Sequence, residues 1–158
     1  MTKFLLSLHV LAAIVTIGPV TVAASMFPAA LRRALGDSGD GDARTTLRTL
    51  HRICRVYAGI GIAVPLFGFA TAGGLGVLGS PWLITSILLT AVAAGVLVLL
   101  ILPAQDRALT ETASPAAPRP ARTPLAAGRL AMFTGIFNVL WVTVTVLMIA
   151  RPGSTTGV

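Results

Sequence analysis

The chain has 158 residues, 55% hydrophobic and only 11% charged, with a net charge of +7 and a mean hydropathy of +0.89. Soluble domains carry about 25% charged residues, so the composition excludes an ordinary water-facing surface and points to a bilayer as the solvent. The positive charge forms no nucleic-acid face, because the basic residues sit at the ends of apolar segments, and the single Cys54 excludes an internal disulfide.

Residues 4–31 carry no charge and predict a first helix over 4–30, with Pro19 as a kink. Lys3, the apolar run and Val22-Ala23-Ala24 before Ser25 also resemble a secretory signal with its cleavage site. Cleavage would leave an arginine-rich loop outside the cytoplasm, and the run continues to Leu31, so a retained span is the better reading. A loop over 32–49 follows, flexible and acidic at 36–42 (GDSGDGD), with 43–50 able to extend the next helix.

The uncharged run 56–105 is 50 residues long, too long for one span, and it divides at the breakers Gly73, Gly74, Gly76, Gly79, Ser80 and Pro81. This predicts helices over 50–75 and 82–104. Pro65 should kink the former, and Gly59, Ala63, Gly68 and Ala72 let it approach a neighbour closely. A second loop over 105–126 holds four prolines between 110 and 124, a composition that reads as an extended or disordered linker. The last helix is expected over 127–150.

The fold class is therefore all-α: one four-span membrane domain over 1–158, a bundle of four transmembrane helices. Of the twelve basic residues only Lys3 and Arg151 lie on one side, and the other ten flank the two long loops. The positive-inside rule places those loops in the cytoplasm and both termini outside the plasma membrane. Pro28-Ala29 before Arg33-Ala34-Leu35 is echoed by Pro103-Ala104 before Arg107-Ala108-Leu109, and Tyr57-Ala58-Gly59-Ile60 by Phe133-Thr134-Gly135-Ile136. A true duplication would make two parallel two-helix hairpins.

Polar groups at membrane depth are expensive and concentrate the functional information. His9 shares a helical stripe with Ala13, Thr16 and Val20, which turns it towards the bundle. An axial ligand to haem or a metal, a proton-handling group, and a histidine satisfied near the interface are all open for it. Met148 lies at similar depth in the last span and offers a second ligand. Met26, His51, Cys54 and Met132 share the opposite depth, where soft sulfur with imidazole suits copper(I) or haem iron. Arg48, Arg52 and Arg55 recur at i, i+4 and i+7, a stripe for anionic lipid headgroups or an anionic substrate. Asn138, midway along the last span, should bond across to another helix. No acidic residue lies within a span, and no Gly-rich phosphate loop, HExxH or nucleophile elbow is present.

The stretch Leu8-His9-Val10-Leu11-Ala12-Ala13-Ile14 resembles the opening of several small bacterial membrane families. It looks most like a four-span family described as predicted integral membrane proteins of unknown function. More distantly it is similar to CopD-type copper-resistance domains and to the HemJ-type protoporphyrinogen oxidase, and more loosely to four-span anthrone-oxygenase-like proteins. The HemJ likeness implies haem b held at His9. Where those families often carry tryptophan and paired glycines, this chain has Ile17-Gly18-Pro19.

Two functional classes follow. One is a membrane redox protein or enzyme that binds haem or a metal at His9. The other is a non-enzymatic accessory or structural protein acting through helix packing and a basic cytoplasmic face, with a membrane partner or a second copy of the chain. A solute channel ranks third, because the spans offer few polar groups to line a path.

Overall fold

The structure is a computed structural model that describes residues 2–36, 41–113 and 123–153. Helix α1 covers Thr2–Gly36, α2 Gly41–Ile60, α3 Ala63–Leu75, α4 Pro81–Gly95, α5 Leu102–Ala113 and α6 Thr123–Ala150. A π-helical segment, Val96–Ile101, joins α4 to α5. These elements make four helices long and apolar enough to cross a membrane, Lys3–Leu35, Gly41–Leu75, Pro81–Ala113 and Leu125–Ala150.

Prolines explain most of the irregularities. Pro65 has no N–H for the carbonyl of Gly61, and its ring crowds that oxygen. The second span accordingly breaks at Gly61–Ile62, where Val64 N–H takes the Gly61 carbonyl instead, at 3.1 Å. Pro103 removes the donor for Leu99, and the helix widens to π geometry over Val96–Ile101 just before it. Pro28 leaves the Ala24 carbonyl without its helical donor, yet α1 continues, and the Thr134 hydroxyl of α6 donates to that oxygen at 3.4 Å. The turn between α3 and α4 has Gly76 at φ 67°, a left-handed cap that suits glycine, and Pro81 in the first turn of the next helix.

The described residues of segments 32–49 and 105–126, expected as loops with 43–50 able to extend the next helix, are helical. The reason lies in α2, whose Ala43, Leu47, Leu50 and Cys54 form one buried stripe against Phe27, Leu31 and Ala34 of α1. Likewise Gln105, Ala108 and Thr112 give α5 a buried face. The acidic stretch at 37–40 and most of the proline-rich linker, 114–122, lie outside the described residues. Helix α1 runs unbroken through Ala24 and Ser25.

At about 1.5 Å per residue, the first three spans, of 33 to 35 residues, are each about 50 Å long against a hydrocarbon layer of about 30 Å. Their surplus lies at the arginine-rich end, where the apolar runs stop at Arg32, Arg55 and Asp106. Helix α1 is central and packs against α2, α3 and α6, while α4 packs on α6. The main core is concentrated towards the arginine-rich end and the middle, around Phe27, Leu31, Leu47, Cys54, Ile101 and Phe137. Towards the end that carries the termini lies a smaller cluster of Ala72, Trp82 and Leu83. Phe4, Ile14, Leu99 and Ile149 are exposed around the outside, which gives the bundle an apolar coat.

Candidate functional site

His9 is half-buried between α1 and α3. Its Nδ1 lies 2.9 Å from the carbonyl oxygen of Val64. A carbonyl only accepts, so Nδ1 carries the proton and, in the neutral ring, Nε2 keeps its lone pair. The ring rests against Gly68, where an added Cβ would come within 3.0 Å of His9 Cε1. A side chain at 68 would crowd the ring in this position.

Met148 packs against a different neighbour, in the cluster with Ala72, Trp82 and Leu83. Beside it Arg151 donates from Nε to the Met148 carbonyl at 3.3 Å and holds its guanidinium 5.7 Å from the centre of the Trp82 ring. That cation–π contact marks the interface at the terminal end. His9 thus belongs to the α1–α3 contact and Met148 to the α4–α6 contact.

At the arginine-rich end His51 and Cys54 are buried, but Met26 and Met132 are exposed over about half their surface (52% and 54%). Among the described residues no group of three or more His, Cys, Asp or Glu could hold a metal ion. His51 instead meets α5: Nδ1 is 3.1 Å from Gln105 Oε1, and Nε2 is 3.4 Å from Asp106 Oδ1. The Gln105 amide nitrogen donates to Cys54 Sγ at 3.7 Å, which orients the amide oxygen towards His51. Both partners of the ring are then acceptors. Gln105 and Asp106 end the long uncharged run, but their pairing with His51 crosses more than 50 residues and has no local signature in the sequence.

Arg48, Arg52 and Arg55 are exposed along one side of α2, and none has an acidic partner among the described residues. Between α6 and α1, Asn138 Nδ2 donates to Ser25 Oγ at 3.3 Å. Three buried polar atoms have no partner among the described residues: Thr16 Oγ1, Asn138 Oδ1 and Trp141 Nε1. Thr16 packs at the helix break, its methyl beside Gly61.

Four long apolar helices with charge confined to their ends are the architecture of a polytopic membrane protein. The model of a family described as predicted integral membrane protein (DUF2269) matches residues 3–152. The chain belongs to that family. No curated protein and no solved structure matches this DUF2269 member. The match spans all four candidate spans, so the family character is that of the whole bundle.

Proposed function

We propose that this integral membrane protein is a redox protein that holds haem or a metal ion at His9 Nε2. The observation that carries this reading is the hydrogen bond from Nδ1 to the Val64 carbonyl. Metal-binding histidines characteristically donate their other ring N–H to a carbonyl or carboxylate, which fixes the tautomer and raises ligand basicity. Gly68 fits the same role by leaving the ring its seat. The likeness of the stretch around His9 to the CopD-type and HemJ-type proteins supports the reading and favours haem b. Haem would supply one-electron chemistry when bound. The chain supplies the ligand nitrogen, its orientation and an apolar surround. Met148 is the candidate second ligand and would have to leave its packing against Trp82 and Leu83 to serve.

The test is the visible spectrum of the protein purified in mild detergent after haem supplementation. The wild type shows a Soret band, His9→Ala loses it, and His51→Ala keeps it. A colourless wild type, or a normal spectrum in His9→Ala, overturns the proposal. Met148→Leu shifts the spectrum only if sulfur is the second ligand.

A second reading, an accessory protein acting through packing and its basic face, is favoured by Arg48, Arg52 and Arg55, which lack acidic partners among the described residues. In either case the positive-inside rule puts the arginine-rich end in the cytoplasm and the termini outside the plasma membrane. A reporter fused after Val158 that is active only in the cytoplasm contradicts this orientation.

A further inference from the structure

Between α1 and α6 runs a groove of about 330 Å³ lined by Ile17, Thr21, Asn138, Trp141, Val142 and Thr145 among others. Its rim is open to the outside of the bundle, with Val142 and Val146 exposed by 64% and 56%. Asn138 lies about 18 Å along α6 from Ala150 (about 1.5 Å per residue), near the middle of a hydrocarbon layer about 30 Å thick. At that depth lipid tails offer no hydrogen-bonding partner. Three of the lining residues nevertheless carry polar groups without one among the described residues: Asn138 Oδ1, Trp141 Nε1 and the Thr21 hydroxyl.

The polarity of these groups defines what would satisfy them. Trp141 Nε1 only donates, Asn138 Oδ1 only accepts, and the Thr21 hydroxyl does both. One chemical group meets the first two together, because a hydroxyl accepts from one and donates to the other. A phospholipid headgroup is excluded by depth, since its phosphate and esters lie at the membrane surface. We infer that the α1–α6 groove binds a bilayer-soluble molecule that carries a hydroxyl on an apolar body. The hydroxyl sits between Trp141 and Asn138, and the body lies along Ile17 and Val142. Asn138 Oδ1 and Trp141 Nε1 are both buried, so binding includes a shift of the indole and a turn of the Asn138 amide about χ2, a broad and soft torsion. That turn brings Oδ1 out to the groove and gives up the Nδ2 bond to Ser25. The site is separate from His9 and stands whether or not haem is bound there.

Two tryptophans are present, so Trp82→Phe leaves Trp141 as the sole reporter of the groove. The full chain in detergent is titrated with 2-bromododecan-1-ol, whose bromine quenches indole fluorescence, and in parallel with its methyl ether, which cannot donate. The expected result is saturable quenching by the alcohol, with the ether weaker by roughly fivefold to tenfold, the size of one net hydrogen bond. Asn138→Leu removes the saturable component, and Thr21→Val, which leaves the Ser25 contact intact, provides a second variant if the first misfolds. Equal, non-saturable quenching by both probes overturns the site, as does saturable quenching that survives Asn138→Leu in a folded protein. Light scattering that shows a dimer in the parent and a monomer in Asn138→Leu also overturns it, because a second copy then fills the groove.

Discussion

The two ends of this bundle are built on different terms. At the arginine-rich end Phe27, Leu31, Leu47 and Cys54 are almost completely buried, and His51, Gln105 and Asp106 find partners in one another. At the terminal end α3 packs mainly on α1 and α4 mainly on α6, and His9 keeps one ring nitrogen outside its hydrogen bond to Val64. The contrast teaches where stability and chemistry reside. Between helices in lipid there is no hydrophobic drive, so close packing and satisfied polar groups hold the bundle. The end that has both is the scaffold, and the looser end leaves free the ring nitrogen on which the haem proposal rests.

The harshest way to break this comparison is Phe27→Ala, which removes a fully buried ring from the main core. It should cost about 3–5 kcal/mol in steric-trap unfolding measurements, and Ile149→Ala at the exposed face of the other end almost nothing. Equal losses would show that the core is not concentrated as described. Replacing Arg48, Arg52 and Arg55 together by Gln should weaken retention of anionic lipid by up to about 3 kcal/mol, about 1 for each charge. Native mass spectrometry of the lipid carried through purification measures this, and unchanged retention would assign the stripe another role.

Gln105→Leu sharpens the polar side of the contrast. It leaves His51 and Cys54 facing an apolar residue and should cost about 1–3 kcal/mol, with a visible drop in thermal unfolding temperature. A variant as stable as the parent would mean that the His51–Gln105 contact is replaceable by packing. The smallest effect is expected from Thr134→Val, which deletes the bond to the carbonyl that Pro28 frees. Such bonds average about 0.6 kcal/mol in membranes. Hydrogen exchange at residues near Ala24 is the sensitive readout, and no change there would mean that another group covers the carbonyl.

The four spans were legible because charge is forbidden inside a bilayer, so runs such as 4–31 and 130–150 stand out without any packing information. The turn at Gly76 was equally plain, since breakers cluster there. The helical extensions beyond the apolar runs were harder to see. The stripe Ala43–Leu47–Leu50–Cys54 is present in the sequence, but arginines and threonines fill the rest of that helix, and only Leu31 and Ala34 opposite explain its burial. Pro28 falls inside the predicted helix 4–30, but the hydroxyl that meets the carbonyl it frees, that of Thr134, is more than 100 residues away. The candidate site divides in the same way. That His9 faces the bundle follows from its stripe, whereas the Val64 carbonyl and Gly68 that seat its ring belong to the fold.

The break at Gly61–Ile62 has a mechanical consequence for the membrane itself. The negative end of the α2 dipole meets the positive end of α3 across two residues, so the joint introduces little net charge into the hydrocarbon. A span that can bend at such a joint shortens its projection across the bilayer without exposing a charged group. A rigid helix of the same length must instead tilt or deform the lipid.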